Sequence, residues 1–345
     1  MAVTRAEVAR LAGVSPAVVS YVINGGPRQV SPATRARVEA AVQAVGYRPN
    51  AIAAALRGGK TRSIGLLTPS PLNPYFAELA EAVERELFAC GNVLSIGITD
   101  DDPARELRYL RSFLDRQVDG IMLVSSHALA SVFAAGISST PLVVLDRTEH
   151  SAGVSSVHID NVHGSAYAVE HLQSHGHTLL ACIAGPWTVQ VSADRVDGWR
   201  QQQSTAGLEH GPDLVAHAEF SEAGGLGAAH ALLGPDGRPM ALRGLRPTAL
   251  FVSSDIQARG AMRACDELGL RIPDDVAMVS FDGTRAAAFT KPPLTTFRQP
   301  IAEIARGAVR HLLARVADGS IPVEHIVTQG HLVVGQSCGC ERPLA

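Results

Sequence analysis

The stretch "TRAEVARLAGVSPAVVSYVIN", residues 4–24, decides the fold of the N-terminal part of the chain. Its first threonine and Glu7, three residues later, form a capping box, which marks the start of a helix. Gly13 interrupts the apolar pattern at a point where a tight turn needs a positive φ. Ser15 and Pro16 are the residue types that cap and begin a second helix. The stretch therefore predicts two short helices joined by a glycine turn.

A third helix is predicted a few residues further on. Ser31 and the proline after it repeat the signals that begin the second helix, and Gly46 ends the pattern. Three short helices with a glycine turn between the first two are typical of a helix-turn-helix, whose second helix enters the major groove of DNA. A generic three-helix bundle is the alternative. Nine apolar side chains are expected to form the core of these helices: Val8, Leu11, Val18, Val19, Val22, Ile23, Val38, Val42 and Val45.

Charge is distributed unevenly along the chain. Residues 1–62 hold nine Lys and Arg against two acidic residues, a net charge of +7. The remaining residues hold 21 basic and 31 acidic side chains, a net charge of −10, which gives the total of −3. A basic head on an acidic body is typical of a polyanion-binding module joined to a domain with another role. The charge therefore favours the helix-turn-helix over a generic bundle or a solubilising basic tail.

A short alanine-rich helix is predicted after the third helix. The segment 50–57, "NAIAAALR", begins with Asn50 as a possible cap and is followed by two glycines. Two helical turns are marginal on their own, so this helix needs a partner or DNA to be stable. Leu56 is the kind of apolar wedge that inserts between base pairs in a minor groove.

From Ile64 onward, short apolar strands alternate with helical stretches. Near-continuous apolar strands separated by roughly 10–15 helical residues predict parallel sheets covered on both faces. Two such runs predict an α/β body of two doubly wound lobes, with a ligand between them at the carboxyl ends of the strands. The predicted strands are 64–68, 93–98, 120–124, 142–145, 179–184, 249–252 and 276–280.

Polar and aromatic side chains near these strands are candidate effector-binding residues. Carboxylates accept hydrogen bonds from sugar hydroxyls, and a guanidinium donates them in a rigid fork. Aromatic faces stack on a sugar ring or a base. Taken singly, each carboxylate is as well suited to cap a helix as to bind a ligand. The candidates are Tyr75, Phe76, Asp146, Asp160, Arg195, Phe220, Asp255 and Asp282.

Long ordered motifs carry a resemblance to a known family. The segments "VTRAEVARLAGVSPAVVSYVINGG" (3–26), "VSPATRARVEAAVQAVGYRPN" (30–50) and "ALRGGKT" (55–61) resemble the head and hinge of lac-repressor-type (lactose/galactose repressor family) transcription regulators. The segments "HIDNVHGSAYAVEHLQSHGH" (158–177) and "IPDDVAMVSFDG" (272–283) resemble its body, which is similar to a periplasmic sugar-binding protein. The resemblance extends from about residue 3 to 340 and implies an effector-responsive regulator.

The resemblance also implies which residues contact DNA. Base reading falls on Pro16, Ala17 and Tyr21, with a loop contact near Gln29. The hinge helices of two subunits pair in the minor groove, where Leu56 is the wedge. Val18 stands where a threonine is usual, so one phosphate hydrogen bond is expected to be missing. The remaining implied contacts are Ser15, Ser20, Asn24, Ser31, Thr34, Asn50 and Arg57.

The family's chain path implies the domain boundaries. Effector contacts fall most consistently on Arg195, Asp255 and Asp282, and "PPLTTFRQP" (292–300) begins a return to the first lobe. The boundaries are then 1–49 for the helix-turn-helix head, 50–61 for the hinge helix and linker, 62–161 plus 291–324 for the first lobe, 162–290 plus 325–340 for the second lobe, and 341–345 for the tail.

No metal or cofactor is expected. His171, His175 and His177 have no Glu or Cys in a supporting pattern and are interpreted as structural. Cys338 and Cys340 provide only two ligands, fewer than a zinc site needs. No nucleotide loop or nucleophile elbow is present.

Composition and targeting signals bound the class of protein. The 345 residues, 46% of them hydrophobic, predict a globular chain of two or three domains. No apolar run reaches the ~20 residues that span a bilayer, no secretory signal is visible, and five scattered cysteines suit the reducing cytosol. We therefore expect a cytoplasmic homodimeric repressor that binds operator DNA and a sugar or nucleoside effector. The alternative is a solute-binding protein or sugar-processing enzyme that uses the same lobes.

Overall fold

The structure is a computed structural model, and the chain divides into two compact units, Met1–Thr61 and Arg62–Ala345. The expected hinge helix 50–57 and the tail 341–345 lie outside the described residues. The described residues are 3–24, 29–47, 60–124, 136, 140–146, 153–234 and 246–340.

Three helices make up the described part of the first unit: α1 (Arg5–Ala12), α2 (Pro16–Asn24) and α3 (Pro32–Val45). The Thr4 hydroxyl accepts a hydrogen bond from the backbone N–H of Glu7, and the Glu7 carboxylate accepts one from the backbone N–H of Thr4, so the predicted capping box is confirmed. Gly13 follows α1 with φ 62°, in the left-handed region that favours glycine. The sequence prediction of three helices with a glycine turn is confirmed.

The core of the head differs from the expectation at two positions, Leu11 and the half-buried Val18, which both lie outside its apolar cluster. Val8, Val19 and Val38 are fully buried, as predicted. Leu11 is 57% exposed, so its predicted place in the core is wrong. The buried side of α1 carries Val8, Ala9 and Ala12, and at about 100° per residue Leu11 points away from that stripe.

The first lobe of the second unit is a six-stranded parallel sheet in the order β11-β5-β4-β3-β1-β2. Helices α4 (Pro74–Ala89) and α10 (Ile301–Ala317) pack on one face, and α5 (Pro103–Asp115) packs on the other. Its strands β1, β3 and β4 are buried on both sides, which is why they are apolar almost throughout. The strands are β1 (Ser63–Thr68), β2 (Val93–Ile98), β3 (Gly120–Leu123), β4 (Leu142–Leu145), β5 (Ser155–Ile159) and β11 (His325–Thr328).

The second lobe repeats this arrangement in the order β12-β10-β9-β8-β6-β7, with only β12 antiparallel. Its helices are α6 (Asn161–Ser174), α7 (Gln190–Thr205), α8 (Glu222–Leu233) and α9 (Asp255–Glu267). The fully buried Trp199, Phe251 and Phe281 are the largest side chains of its core. The strands are β6 (Leu180–Ala184), β7 (Val215–His217), β8 (Ala249–Val252), β9 (Ala277–Asp282), β10 (Thr295–Arg298) and β12 (His331–Val333).

All seven predicted body strands are present, but the predicted lobe boundaries need two corrections. β10 falls within 291–324, the segment assigned to the first lobe, yet it pairs with β9 of the second. β11 falls within 325–340, assigned to the second lobe, yet it pairs with β5 of the first. Ring packing explains the first difference, because Phe297 lies 5.2 Å from Phe281 between ring centroids. The chain therefore passes between the lobes after β5, after β10 and after β11.

No single helix within the described ranges is long and apolar enough to cross a membrane. One bent pair, α1 followed by Pro16–Ile23 at an angle of 101°, passes the same test by length and composition only.

Candidate functional site

A cleft of about 260 Å³ lies between the two lobes of the second unit. Its walls come from the residues that follow the carboxyl ends of strands in both sheets, which is where ligands bind in open α/β folds. Six of the eight predicted effector residues line it: Tyr75, Phe76, Asp146, Arg195, Phe220 and Asp282.

Arg195 is a buried cation on the second-lobe side of the cleft. It is on α7, and only 3% of its surface is exposed. Its Nε donates to Asn161 Oδ1 at 2.8 Å, and its Nη1 donates to the Ser253 carbonyl at 2.6 Å. The guanidinium carbon lies 4.0 Å from the centroid of the Phe281 ring, a cation–π contact. These contacts hold the fork rigidly and use Nε and Nη1, which leaves Nη2 for a ligand in the cleft.

A chain of polar contacts crosses the bottom of the cleft. The Tyr75 hydroxyl of α4 lies 3.1 Å from Asp146 Oδ1 and 3.1 Å from Gln299 Oε1. Gln299 Nε2 then donates to Asp282 Oδ1 at 3.0 Å. Asp282 Oδ1 is also 3.5 Å from Arg195 Nη1, which is long for an ion pair. Since Tyr75 and Asp146 belong to the first lobe and Asp282 to the second, this chain links the two lobes through Gln299.

Burial changes the proton affinity of the acidic groups in this chain. Desolvation raises the pKa of Asp282 to about 8, and the attraction of Arg195 offsets only part of that shift. Desolvation also raises the pKa of the Tyr75 hydroxyl well above its ordinary value, helped by the negative charge of Asp146. Displaced pKa values of this kind in a cleft are typical of functional sites.

The raised pKa of Asp282 predicts a pH dependence of stability. Between about pH 4 and pH 8 the native carboxyl keeps its proton while the unfolded one loses it, so the native state binds more protons and stability falls as pH rises. The Asp282→Asn variant lacks this penalty. We expect its free energy of unfolding, relative to the parent chain, to rise by more than about 1 kcal/mol between pH 5 and pH 8 in urea titrations. Asp197→Asn, at an exposed carboxylate, is the control. A difference in unfolding free energy between Asp282→Asn and the parent chain that does not change with pH would contradict the raised pKa of Asp282.

Backbone strain is concentrated at the same place. Six non-glycine residues have a positive φ among those the structure describes, and four of them line the cleft: Asp100, Asp101, Asp146 and Asp282. Such conformations cost on the order of 1–3 kcal/mol each and cluster at ligand sites. Aspartate tolerates the left-handed region better than most residues, because its side chain can hydrogen-bond locally.

Two predicted effector residues do not line the cleft. Asp160 is exposed and caps α6, where its Oδ1 accepts from the His163 N–H at 2.9 Å. Asp255 is buried beneath the cleft and accepts four hydrogen bonds, from the Ser280 and Thr296 hydroxyls and from the N–H and hydroxyl of Thr284. In this structure one carboxylate caps a helix and the other anchors the second lobe, so neither faces the cleft, and their effector contact stays a prediction.

Sequence reasoning missed several residues that build the cleft. Gln299 lies in the "FRQP" part of the motif at 292–300, but its role depends on the chain crossing between the lobes there. Asn161 is next to the selected Asp160, and only the helix start reveals which of the two faces inward. Asp100, Asp101 and Glu219 follow strand ends, which is the signal that could have found them.

The cleft is strongly acidic. Among the described residues that line it are five acidic side chains and one cation, Arg195. The aromatic side chains Phe76 and Phe220 approach it from the first and the second lobe respectively. Carboxylates, a guanidinium and aromatic faces together suit a small polyhydroxylated ligand without negative charge.

The first unit presents a second candidate surface around the start of α2. Ser15, Pro16 and Ala17 are exposed, and Tyr21 one turn later is half-buried. The Ser15 hydroxyl caps α2 by accepting from the Val18 N–H at 3.4 Å.

The other predicted DNA contacts are less uniform in exposure. Gln29 and Ser31 are exposed, and Ser20 and Thr34 are half-buried. The Ser31 hydroxyl caps α3 and donates to the Thr34 hydroxyl at 2.9 Å. The side chain of Asn24 and the whole of Asn50, Leu56 and Arg57 lie outside what the structure describes.

Comparison with known proteins bears on both units. Residues 4–50 match the family model for bacterial regulatory proteins of the lacI family, and residues 169–338 match that for a periplasmic binding protein-like domain. The HTH-type transcriptional repressor PurR of Aliivibrio fischeri (strain MJ11) is 33% identical over 314 residues, covering 90% of this chain and 91% of that protein. The chain belongs to the LacI family of bacterial regulatory proteins. The predicted family and fold class are thereby confirmed.

Other LacI-family proteins match over nearly the whole chain. The ribose operon repressor of Escherichia coli (strain K12) is 32% identical over 94% of this chain and 96% of its own length. Among solved structures, the lac repressor dimer bound to operator and the anti-inducer ONPF matches with a TM-score of 0.86 and 26% identity, covering 98% of this chain and 99% of that one. These three relatives are repressors by name.

Proposed function

We propose that this LacI-family protein is a homodimeric transcriptional repressor whose affinity for operator DNA is changed by a small neutral sugar bound in the interlobe cleft. The observation that carries the proposal is the buried, rigidly held Arg195 beside Asp282, facing an acidic and aromatic cleft between two lobes. In this proposal the cleft binds its effector without turnover, and the protein acts in the cytoplasm on chromosomal DNA.

The charge of the cleft favours a neutral effector over an anionic one. The raised pKa of Asp282 keeps that carboxyl protonated at neutral pH, but the other four acidic side chains that line the cleft among the described residues still outnumber the one guanidinium. Their charge repels a phosphate or carboxylate group. Hydroxyl groups of a sugar can instead donate to Asp146 and Asp282 and accept from Arg195. The volume of about 260 Å³ is at the small end for ligand pockets, which favours a ligand of one ring or two. A nucleoside fits the same chemistry and is the alternative effector class.

The head supports the DNA-binding half of the proposal. Residues 1–62 carry a net charge of +7, and the first turn of α2 presents exposed Pro16 and Ala17 as a recognition helix would. Neither residue has a bidentate donor, so direct base reading relies on apolar contact, on Tyr21 and on Gln29, and groove shape supplies the rest.

Exposed apolar side chains on the first lobe support the homodimer. Phe88 near the end of α4 is 73% exposed, and Val93 and Ile96 on the edge strand β2 are 65% and 51% exposed. An edge strand with exposed apolar residues is a surface that a second copy can cover. A twofold dimer also matches a palindromic operator.

Effector and operator are coupled through the lobes in this proposal. A ligand that bridges Arg195 and Tyr75 favours one relative position of the lobes, because it contacts both. Coupling of this kind is on the order of 1–3 kcal/mol and is reciprocal, so operator DNA changes effector affinity by the same factor.

Titration of the purified protein with its own upstream intergenic DNA tests the proposal. The titration is done at two salt concentrations and repeated with a panel of neutral sugars, sugar phosphates and nucleosides. We expect salt-sensitive specific binding that a neutral sugar shifts by about 5- to 150-fold and that sugar phosphates leave unchanged. No specific binding to this DNA or to any site from a genome-wide selection would contradict the repressor function, and a response to sugar phosphates alone would contradict the effector class.

A charge substitution at the start of α2 tests the DNA surface. Ala17→Glu adds a negative charge to an exposed first helical turn, where the helix dipole tolerates it but DNA phosphates repel it. We expect specific operator affinity to fall more than about tenfold, by fluorescence anisotropy, with an unchanged melting temperature. Gln43→Glu, which adds the same charge to an exposed position of α3, should change affinity less than about threefold. Equal losses in the two variants would remove the special role of the α2 surface.

A further inference from the structure

Four metal-ligating side chains meet in the second lobe, away from the cleft. His171 and His175 lie at the carboxyl end of α6, and Cys338 and Cys340 lie in the segment after β12. His171 Nε2 is 3.3 Å from Cys338 Sγ, and His175 Nε2 is 3.1 Å from Cys340 Sγ. Cys340 Sγ is also 3.6 Å from His171 Nε2, and all four ligand atoms lie within 4.8 Å of one another. The sequence expectation counted two cysteines and three structural histidines separately, because more than 160 residues separate the two pairs.

Local structure explains why the four side chains converge. His171 and His175 are four residues apart at the end of a helix, so they share one face, and their ring centroids are 4.9 Å apart. Gly339 between the two cysteines has φ 96°, a conformation that other residues rarely adopt, and this turn directs both thiols to the same side.

The segment that carries the cysteines is firmly anchored to the second sheet. The Ser337 hydroxyl donates to the Met278 carbonyl at 2.7 Å and accepts from the Thr295 N–H at 2.8 Å. The Thr295 hydroxyl donates to Cys338 Sγ at 2.9 Å. A hydrogen bond to a ligating sulfur is typical of the outer shell of a metal site, where it fixes the ligand's orientation.

We propose that His171, His175, Cys338 and Cys340 bind a Zn²⁺ ion in a closed tetrahedral site that clamps the segment 335–340 to the end of α6. Zinc–sulfur bonds of about 2.3 Å and zinc–nitrogen bonds of about 2.0–2.1 Å in a tetrahedron separate neighbouring ligand atoms by roughly 3.3–3.8 Å. The distances between the thiols and imidazoles are already close to this range. Two thiolates with two imidazoles are the donor set that favours zinc over hard cations such as Mg²⁺ or Ca²⁺.

Metal binding changes the protonation of the two thiols. Zn²⁺ displaces the thiol protons of Cys338 and Cys340 to solvent, and the ion is then held by two thiolates and two neutral imidazoles.

Metal content and cobalt substitution of the full-length protein test the proposal. The protein is purified under reducing conditions without added chelator, and zinc is measured by atomic emission. We expect about one zinc per chain, a melting temperature that a chelator lowers, and, after replacement of zinc by Co²⁺, the absorption bands of tetrahedral cobalt with thiolate ligands. Removal of the metal is checked by thiol titration, in which the number of accessible thiols per chain should rise by two when the chelator is added.

Matched variants separate the cluster from other cysteines and histidines. Cys340→Ser and His175→Gln should lower the affinity for Co²⁺ by at least tenfold and remove the chelator effect on melting. Cys90→Ser, at an exposed cysteine outside the cluster, and His177→Gln, at the neighbouring histidine, should retain the full cobalt spectrum. Fully reduced protein that takes up no Co²⁺ with thiolate bands would overturn the proposal. So would a Cys338–Cys340 disulfide that persists as the stable form in protein given zinc and reductant.

Discussion

Replacement of Arg195 by alanine is expected to lower effector affinity by at least about 100-fold, while operator affinity without effector changes by less than about threefold. The guanidinium is held by Asn161, by the Ser253 carbonyl and by the Phe281 ring, so it meets a ligand in one fixed orientation. Loss of the hydrogen bonds that a buried charged donor makes to a ligand costs several kcal/mol of binding free energy. A 100-fold loss of affinity corresponds to about 2.7 kcal/mol. The effect should therefore be large and confined to the cleft.

The fold should survive this substitution because of the protonation of the neighbouring Asp282 carboxyl. Removal of one partner of a buried ion pair usually costs about 3–5 kcal/mol, because a charge is left behind. Here burial raises the pKa of Asp282 to about 8, so the carboxyl that remains holds its proton at neutral pH. The cost of losing Arg195 is then mainly lost packing and hydrogen bonds.

Isothermal titration with the effector identified from the sugar panel measures effector affinity. Fluorescence anisotropy with operator DNA measures operator affinity in the absence of effector. Arg200→Ala is the control, since Arg200 is on the same helix but is exposed and pairs with Asp197. An Arg195→Ala protein that loses operator binding together with effector binding, while still melting cooperatively, would place this residue in a role other than effector recognition.

The second large effect is expected for substitution of Asp255, which should lower the stability of the protein and leave effector affinity nearly unchanged. Its carboxylate accepts hydrogen bonds from three side-chain hydroxyls and one backbone N–H at 2.6–2.8 Å. Asp255→Asn replaces one acceptor oxygen by an amide that donates, so two of these donors lose their partner in a buried site. Each unsatisfied buried donor costs about 1–3 kcal/mol, and we expect the free energy of unfolding to fall by about 2–4 kcal/mol.

Urea denaturation followed by fluorescence and circular dichroism gives this free energy. Asp197→Asn, the same chemical change at an exposed carboxylate, should alter it by less than about 0.5 kcal/mol. Effector affinity of the folded Asp255→Asn protein should stay within about fivefold of the parent. A large loss of affinity with unchanged stability would make Asp255 a direct ligand of the effector after all.

The fold was accessible from the sequence because its signals are local. The first helix of the head and the turn after it are predicted by the capping box of Thr4 and Glu7 and by Gly13 alone. The apolar strands of the body are continuous enough to be recognised. The structure differs where the information is not local. β10 and β11 are short, and which sheet each joins depends on partners such as Phe281 that are close only in the folded chain.

The cleft residues that could be predicted from the sequence are those at the ends of predicted strands. Asp146 follows β4 directly, Asp282 is the last residue of β9, and both line the cleft. Asp160 and Asp255 have the same local pattern, yet one turns outward and the other is covered, because the start of the following helix decides the direction of the side chain. Gln299 could not be found this way, since it acts at a point where the chain passes between the lobes.

The passages between the lobes also determine the order in which the protein can be completed during synthesis. The first lobe is made early, but one face of its sheet is covered by α10, through Ile304, Ala308 and Leu312, and its edge strand is β11. A nascent chain that has emerged only to residue 290 therefore exposes the apolar face on which α10 packs, even though four of the six strands of the second lobe have been made. Such a chain is a natural substrate for chaperones, and truncation before residue 301 removes part of the core of the lobe that was translated first.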